Sequence, residues 1–250
     1  MNKVQINQNK EKIGFYVITI FAITIMFLMP PINQDGSYHQ FVDSNKIANI
    51  PNFWNVISNI PFLLVGILGL YKLNFITQNK IQYLIFFSGI ILVSIGSSYY
   101  HLNPNNTTLV WDRLPMTIVF MSLVSIIISE FVNNKKGQLL LIPMLFIGLL
   151  SIFYWIVFND LRLYVFVQFY PLLLIPVILV FYKSNYNLVF GYWLLLIAYI
   201  IAKVFEYFDE QIFDNLGVIS GHSLKHLVAA IGLYILTYTF IKRNLINLNN

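Results

Sequence analysis

Two histidines stand four residues apart in Ser220-Gly221-His222-Ser223-Leu224-Lys225-His226. On a helix this spacing stacks both imidazoles on one face, with Cβ atoms roughly 6 Å apart. It is the spacing by which one helix supplies two ligands to one zinc ion. Far upstream, His101 closes the run Gly96-Ser97-Ser98-Tyr99-Tyr100-His101, and Ser97 lies one turn earlier on the same helix face. Asp112 follows in Trp111-Asp112-Arg113-Leu114-Pro115. Taken singly, each has a plain reading: two polar residues near a helix end, a packing serine, an aspartate capping a helix. As a set they fit one chemistry. Three neutral imidazoles, from His101, His222 and His226, hold a divalent zinc and leave the fourth position to water. The metal lowers that water's pKa to about 7. Asp112 can then take its proton, and the Ser97 hydroxyl can donate to the developing oxyanion, with Ser98 in its place if the helix register is shifted. The chain has no cysteine, so a transition-metal site must draw on histidine and carboxylate.

These residues need elements to hold them, and composition says which. Of 250 residues, 58% are hydrophobic and only 10% charged, against about 25% charge in soluble domains. A soluble fold could not bury so much apolar surface, so the bilayer must act as solvent for much of it. The net charge of +5 is scattered through short loops, which is not a nucleic-acid signal. Eight apolar segments are long enough, or nearly so, to span a bilayer: roughly 14–30, 52–72, 82–101, 110–132, 138–158, 162–182, 187–208 and 217–241. The first has a basic start and no small-x-small cleavage site before Met29-Pro30-Pro31, and reads as an uncleaved signal anchor.

Charge orients these spans. With a cytoplasmic N-terminus and alternating helices, the inner side holds Lys3, Lys10, Lys12, Lys72, Lys80, Lys135, Lys136, Lys183, Lys242 and Arg243, and the outer side only Lys46, Arg113 and Arg162. That is the asymmetry of the positive-inside rule. Both termini are therefore expected in the cytoplasm. The same topology, assigned from lysine and arginine alone, puts His39, His101, His222 and His226 on the outer side, together with Asp35, Asp43, Asp112, Asp160, Asp209, Glu210 and Asp214.

The order Ser97, His101, Asp112, His222, His226 resembles the CREST superfamily of membrane hydrolases, which includes alkaline ceramidases and adiponectin-type receptors. It is closest to the alkaline ceramidase (alkaline phytoceramidase) branch and its bacterial relatives, whose first core helix also opens like Asn52-Phe53-Trp54-Asn55-Val56-Ile57-Ser58-Asn59. The resemblance covers roughly residues 35–240. It implies an all-α, polytopic membrane helical bundle: a seven-helix core plus one extra N-terminal transmembrane helix, eight in total. Residues 1–34 are then the cytoplasmic tail and extra helix, and residues 35–243 the seven-helix ceramidase-like domain. The implied activity is zinc-dependent hydrolysis of the amide bond of a ceramide-like or other N-acyl lipid. The implied partners are a lipid with an acyl chain and the bilayer, with no nucleic acid and no protein partner evident. The expected location is a bacterial inner (cytoplasmic) membrane, with the site toward the outer face. The family also raises Ca2+, bound by an acidic segment before the first core helix; here that region keeps Asp35 and Asp43 but lacks the dense acidic cluster, so solvated loop aspartates are the default.

Other polar residues receive plainer readings. His39 reads as a surface loop histidine. Lys203 and Glu206, at i, i+3, read as a membrane ion pair. Lys225 is expected to point away from the His222/His226 face and to pair with an acid or snorkel. Arg113 is expected to snorkel to the interface. Two other functions compete. In a non-enzymatic receptor or sensor of the same superfamily the zinc is structural and a fourth protein ligand closes the site. A transporter with a histidine–aspartate proton relay needs polar residues through the membrane depth.

Overall fold

The structure, a computed structural model, describes residues 3–76 and 78–246, with side chains from residue 13 onward. The side chains of Lys3, Lys10 and Lys12, used in the charge count, lie outside the described residues. The helices run in the order α1 (Lys3–Leu28), α2 (Phe53–Ile57), α3 (Ile60–Tyr71), α4 (Lys80–Leu102), α5 (Asn106–Ile127), α6 (Asn134–Phe158), α7 (Arg162–Phe181), α8 (Phe190–Tyr207), α9 (Asp209–Leu216) and α10 (Gly221–Lys242). A π-helical turn, Ile128–Val132, continues α5. Among the described residues there are isolated bridges but no β-strand.

The protein is an all-α, polytopic membrane protein. Among the described residues seven stretches are long and apolar enough to cross a bilayer, and they match seven of the eight expected spans. The eighth, at the N-terminus, is a helix whose apolar part among those residues is the shorter Ile13–Leu28. The expected span 52–72 forms as two helices, because Pro61 stands in the first turn of α3 and has no N–H to continue the ladder from α2. The short helix α9 fills the stretch between the last two expected spans.

The chain divides into two compact units. One contains residues 34–119 and 188–243, and with them every candidate site residue. Small residues set its helix spacing, as expected where lipid gives apolar faces no drive to associate. A Cβ on Gly69 of α3 would lie 2.2 Å from the Phe87 ring of α4, and one on Gly232 of α10 would lie 2.6 Å from Cβ of Ala198 on α8. The other unit contains residues 3–33, 120–187 and 244–246 among those described. There the end of α1 is tied to the α6–α7 turn. Asp160 accepts from the N–H groups of Ile32 (3.2 Å) and Arg162 (3.0 Å), and Arg162 pairs with Asp160 at 2.8 Å while donating to the Met29 carbonyl at 2.9 Å. Burial works against the Asp160 charge. The Arg162 guanidinium and the two N–H donors outweigh it and hold the carboxyl below its ordinary range.

Candidate metal centre

His101 sits in the last turn of α4, and His222 and His226 in the first two turns of α10. They are 1%, 7% and 7% exposed. Their ring centroids are 5.0 Å apart for His101–His222, 5.2 Å for His101–His226 and 5.0 Å for His222–His226. Each ring offers one nitrogen, and the three nitrogens lie within 4.8 Å of one another. Imidazoles more than a hundred residues apart in sequence therefore meet at one point.

Local backbone explains the convergence. Gly221 opens α10 so close to α8 that a Cβ there would lie 2.1 Å from the Phe205 carbonyl oxygen. Asp209, at the start of α9, accepts from the His222 backbone N–H at 2.6 Å. That N–H is one of the donors a helix N-terminus leaves free, and a carboxylate suits it. On the other side, Gly96 lets α4 meet α5, since a Cβ there would lie 1.9 Å from the Trp111 carbonyl oxygen. The contact brings Asp112 beside the next residue of α4, and the Ser97 hydroxyl is the hydrogen-bonding neighbour of the Asp112 carboxylate. Ser98 faces elsewhere and donates to the Val56 carbonyl at 3.3 Å.

The donor set suits a divalent transition metal: three buried imidazoles with no thiolate. The Nδ1 of His101 is buried without a hydrogen-bond partner among the described residues. A buried polar atom left so costs roughly 1–3 kcal/mol, and a cation drawing on these rings suits such a group better than an apolar filling. The three histidines could hold a metal ion, and zinc is compatible with them.

Several neighbours escaped the reading of the sequence. Phe41, in the segment before α2, lays its ring against His101 (4.7 Å between centroids) and His222 (5.1 Å). Asn52 donates to the His101 carbonyl at 2.7 Å. Asn55 donates to the Asp43 carbonyl at 3.0 Å and accepts from Ser223 at 2.8 Å. Ser58 meets His226 Nδ1 at 2.8 Å. Asn52, Asn55 and Ser58 belong to the segment quoted above for its likeness to a core helix, but nothing in their spacing, or in that of Phe41, marks them as neighbours of histidine.

The remaining polar residues partly correct the expectations. His39 bonds Tyr100 and Asn106, each at 2.9 Å, as a tether of its loop. Lys203 pairs with Glu206 as expected. Lys225 pairs with the same carboxylate at 2.7 Å, but it does not turn away from the histidines: its Nζ lies 3.4 Å from His222 Nδ1. Its long stem bends back one turn to reach Glu206, which carries the ammonium past His222. Arg113 does not snorkel; it is 6% exposed and lies 5.4 Å over the Tyr38 ring, which replaces the interface as its neighbour. Asp35 is an exposed loop aspartate bonded to the Ser37 N–H, whereas Asp43 is buried, contrary to the default of a solvated loop residue.

The family model described as Ceramidase matches residues 38–249, a range that contains the three histidines, Ser97 and Asp112. The chain belongs to the ceramidase family. Ceramidase-family membership makes it a hydrolase of lipid amide bonds, with a lipid substrate and a membrane environment. The match begins after α1, and its last residues, 247–249, lie outside the described residues. Comparisons with curated proteins and with solved structures give no match.

Proposed function

We propose that this ceramidase-family chain is a zinc-dependent hydrolase that cleaves the amide bond of a ceramide-like or other N-acyl lipid. His101, His222 and His226 would hold the metal. When bound, zinc supplies Lewis-acid polarisation of the amide carbonyl and makes a coordinated water acidic near neutral pH. Asp112 accepts the proton of the attacking water as its oxygen bonds to the carbonyl carbon. Once protonated, Asp112 no longer holds the Ser97 hydrogen, and the Ser97 hydroxyl turns to donate to the resulting oxyanion. The C–N bond then breaks, and Asp112 returns its proton to the amine nitrogen, leaving a fatty acid and a free amine. The observation that carries this reading is the convergence of three buried imidazoles, together with the Ser97–Asp112 pair formed where Gly96 lets α4 and α5 meet. A receptor with a structural zinc fits less well. The ligand group among the described residues has three histidines, whereas a structural site has four protein ligands.

On the same reading residues 35–243 are the ceramidase-like domain and residues 1–34 the tail and extra transmembrane helix, residues 1 and 2 lying outside those described. The relatives would be bacterial, the membrane the inner one, both termini cytoplasmic and the site toward the outer face. Ca2+, if bound, belongs to the segment from Asp35 to Asn52, where Asp43 Oδ2 is buried without a hydrogen-bond partner among the described residues.

The test is metal analysis of the purified protein joined to a screen of lipid amides, each repeated on His226→Ala. We expect about one zinc per chain and hydrolysis of at least one N-acyl lipid, with both lost in the variant. Undiminished hydrolysis by His226→Ala would refute the assignment.

A further inference from the structure

The break between α2 and α3 places a group of buried polar side chains beside the histidines. At the break the Asn55 carbonyl accepts from the Asn59 side-chain amide at 2.8 Å and from the Ser58 hydroxyl at 3.2 Å. A serine hydroxyl has one hydrogen to give. A carbonyl can only accept, so the contact with Asn55 uses that hydrogen. The second contact of Ser58 Oγ, at 2.8 Å, is to Nδ1 of His226. With its hydrogen already given, Oγ must accept there, and Nδ1 must be the protonated nitrogen. A neutral imidazole protonated at Nδ1 keeps its lone pair on Nε2.

We propose that Ser58 is a positioning residue that fixes His226 as the Nδ1-protonated tautomer, with Nε2 directed to the metal. This rests on the metal-site reading above. Metal-bound histidines generally donate their second N–H to a fixed acceptor, which sets ring orientation and ligand basicity. Ser58 is itself held, being buried and anchored to the Asn55 backbone. Asn55 in turn accepts from Ser223, three residues before His226 on α10, so ring and helix are tied to the same short segment. The Asn52 contact with the His101 carbonyl ties the third ligand's backbone to it as well.

Two readouts test the proposal, and neither needs turnover. The first is zinc affinity, measured by chelator competition on the full-length protein in detergent. Ser58→Ala should bind zinc about 10–100-fold more weakly, and Ser58→Thr, which keeps the hydroxyl, should restore most of the loss. Ser94→Ala removes another buried hydroxyl from the same region, one that donates to the Asn59 carbonyl at 2.7 Å and touches no histidine. It should bind zinc as the unmodified chain does. The second readout is nitrogen NMR of the imidazoles in the metal-free, unmodified protein, where His226 Nδ1 should give a protonated, pyrrole-type signal. Unchanged affinity in Ser58→Ala, an equal loss in Ser94→Ala, or a pyridine-type Nδ1 at His226 would each overturn the proposal. A protein that binds zinc in this way but hydrolyses no lipid amide would count against the proposed function and leave Ser58 in its role.

Discussion

Gly96 and Trp111 touch backbone to backbone: a single methyl group on the glycine would lie 1.9 Å from the Trp111 carbonyl oxygen. The neighbour is main chain in the second turn of α5 and cannot rotate away. Gly96→Ala must therefore push α4 and α5 apart, which moves Asp112 relative to Ser97 and His101. Overpacking of this kind costs typically about 1–3 kcal/mol. We expect a lower melting temperature and, in the chain that remains folded, a fall in turnover with zinc still bound. Wild-type stability and rate in Gly96→Ala would mean that the close contact is dispensable.

Asp112 is outside the histidine group, so its removal should separate metal binding from chemistry. Asp112→Asn should keep zinc and lose about 10²–10⁴-fold in turnover, the usual worth of a positioned proton acceptor. Metal content and initial rate on one preparation decide the matter. An unchanged rate removes Asp112 from the mechanism.

Glu206 faces two ammonium groups, Lys203 and Lys225, and the second reaches to within 3.4 Å of a histidine ring nitrogen. An ammonium can only donate, so at His222 it competes with a metal ion for the same ring. Glu206 draws it aside. Glu206→Gln should free Lys225 to move onto His222 and weaken zinc binding, whereas Lys225→Met together with Glu206→Gln should recover much of it. The pair of variants, titrated with zinc, measures whether the charges are coupled to the site. Equal affinity in all three proteins would show that they are not.

Asp160 supplies a pH dependence in the other unit of the chain. Its carboxyl is held below the ordinary range, so its contribution to stability is full above the unfolded value of about 3.9 and is lost as pH falls through the lower folded value. Asp160→Asn should melt at a lower temperature than the unmodified protein at neutral pH, because Arg162 loses its partner and two N–H groups lose a charged acceptor. The gap should stay constant above about pH 5 and narrow as the pH drops below about 4. A gap that widened in acid would contradict this account.

The parts of this molecule that obey a period could be read from its sequence. Apolar length marked eight segments, seven of which are long apolar helices among the described residues, and the i, i+4 pair His222/His226 with His101 marked the histidine group, since a helix and a bilayer impose repeat distances on residue types. Contacts made by loops and by long side chains have no such period. Nothing in the spacing of Gly36-Ser37-Tyr38-His39-Gln40-Phe41 says that Phe41 lies against His101 and His222. The sequence carries no mark of the role of Ser58, because the helix break that exposes its partner depends on Pro61 three residues later. Lys225 and Arg113 were misread for a related reason: four or five rotatable bonds let each choose between the interface and a buried partner, and only the folded neighbours, Glu206 and Tyr38, decide which is taken.

The broken helix between Phe53 and Tyr71 bears on how the sequence can change over generations. Three residues of one short segment, Asn52, Asn55 and Ser58, brace His101, Ser223 and His226 together. A substitution at any of the three disturbs a second helix as well as its own segment and has no independent site at which to be compensated. Lipid-facing positions such as Leu64 and Ile67, on the very next turns, answer only to greasiness and are free to drift. Tolerance to mutation should therefore differ sharply along one short segment, with Asn52, Asn55 and Ser58 frozen and the lipid-facing positions of the helix after them permissive.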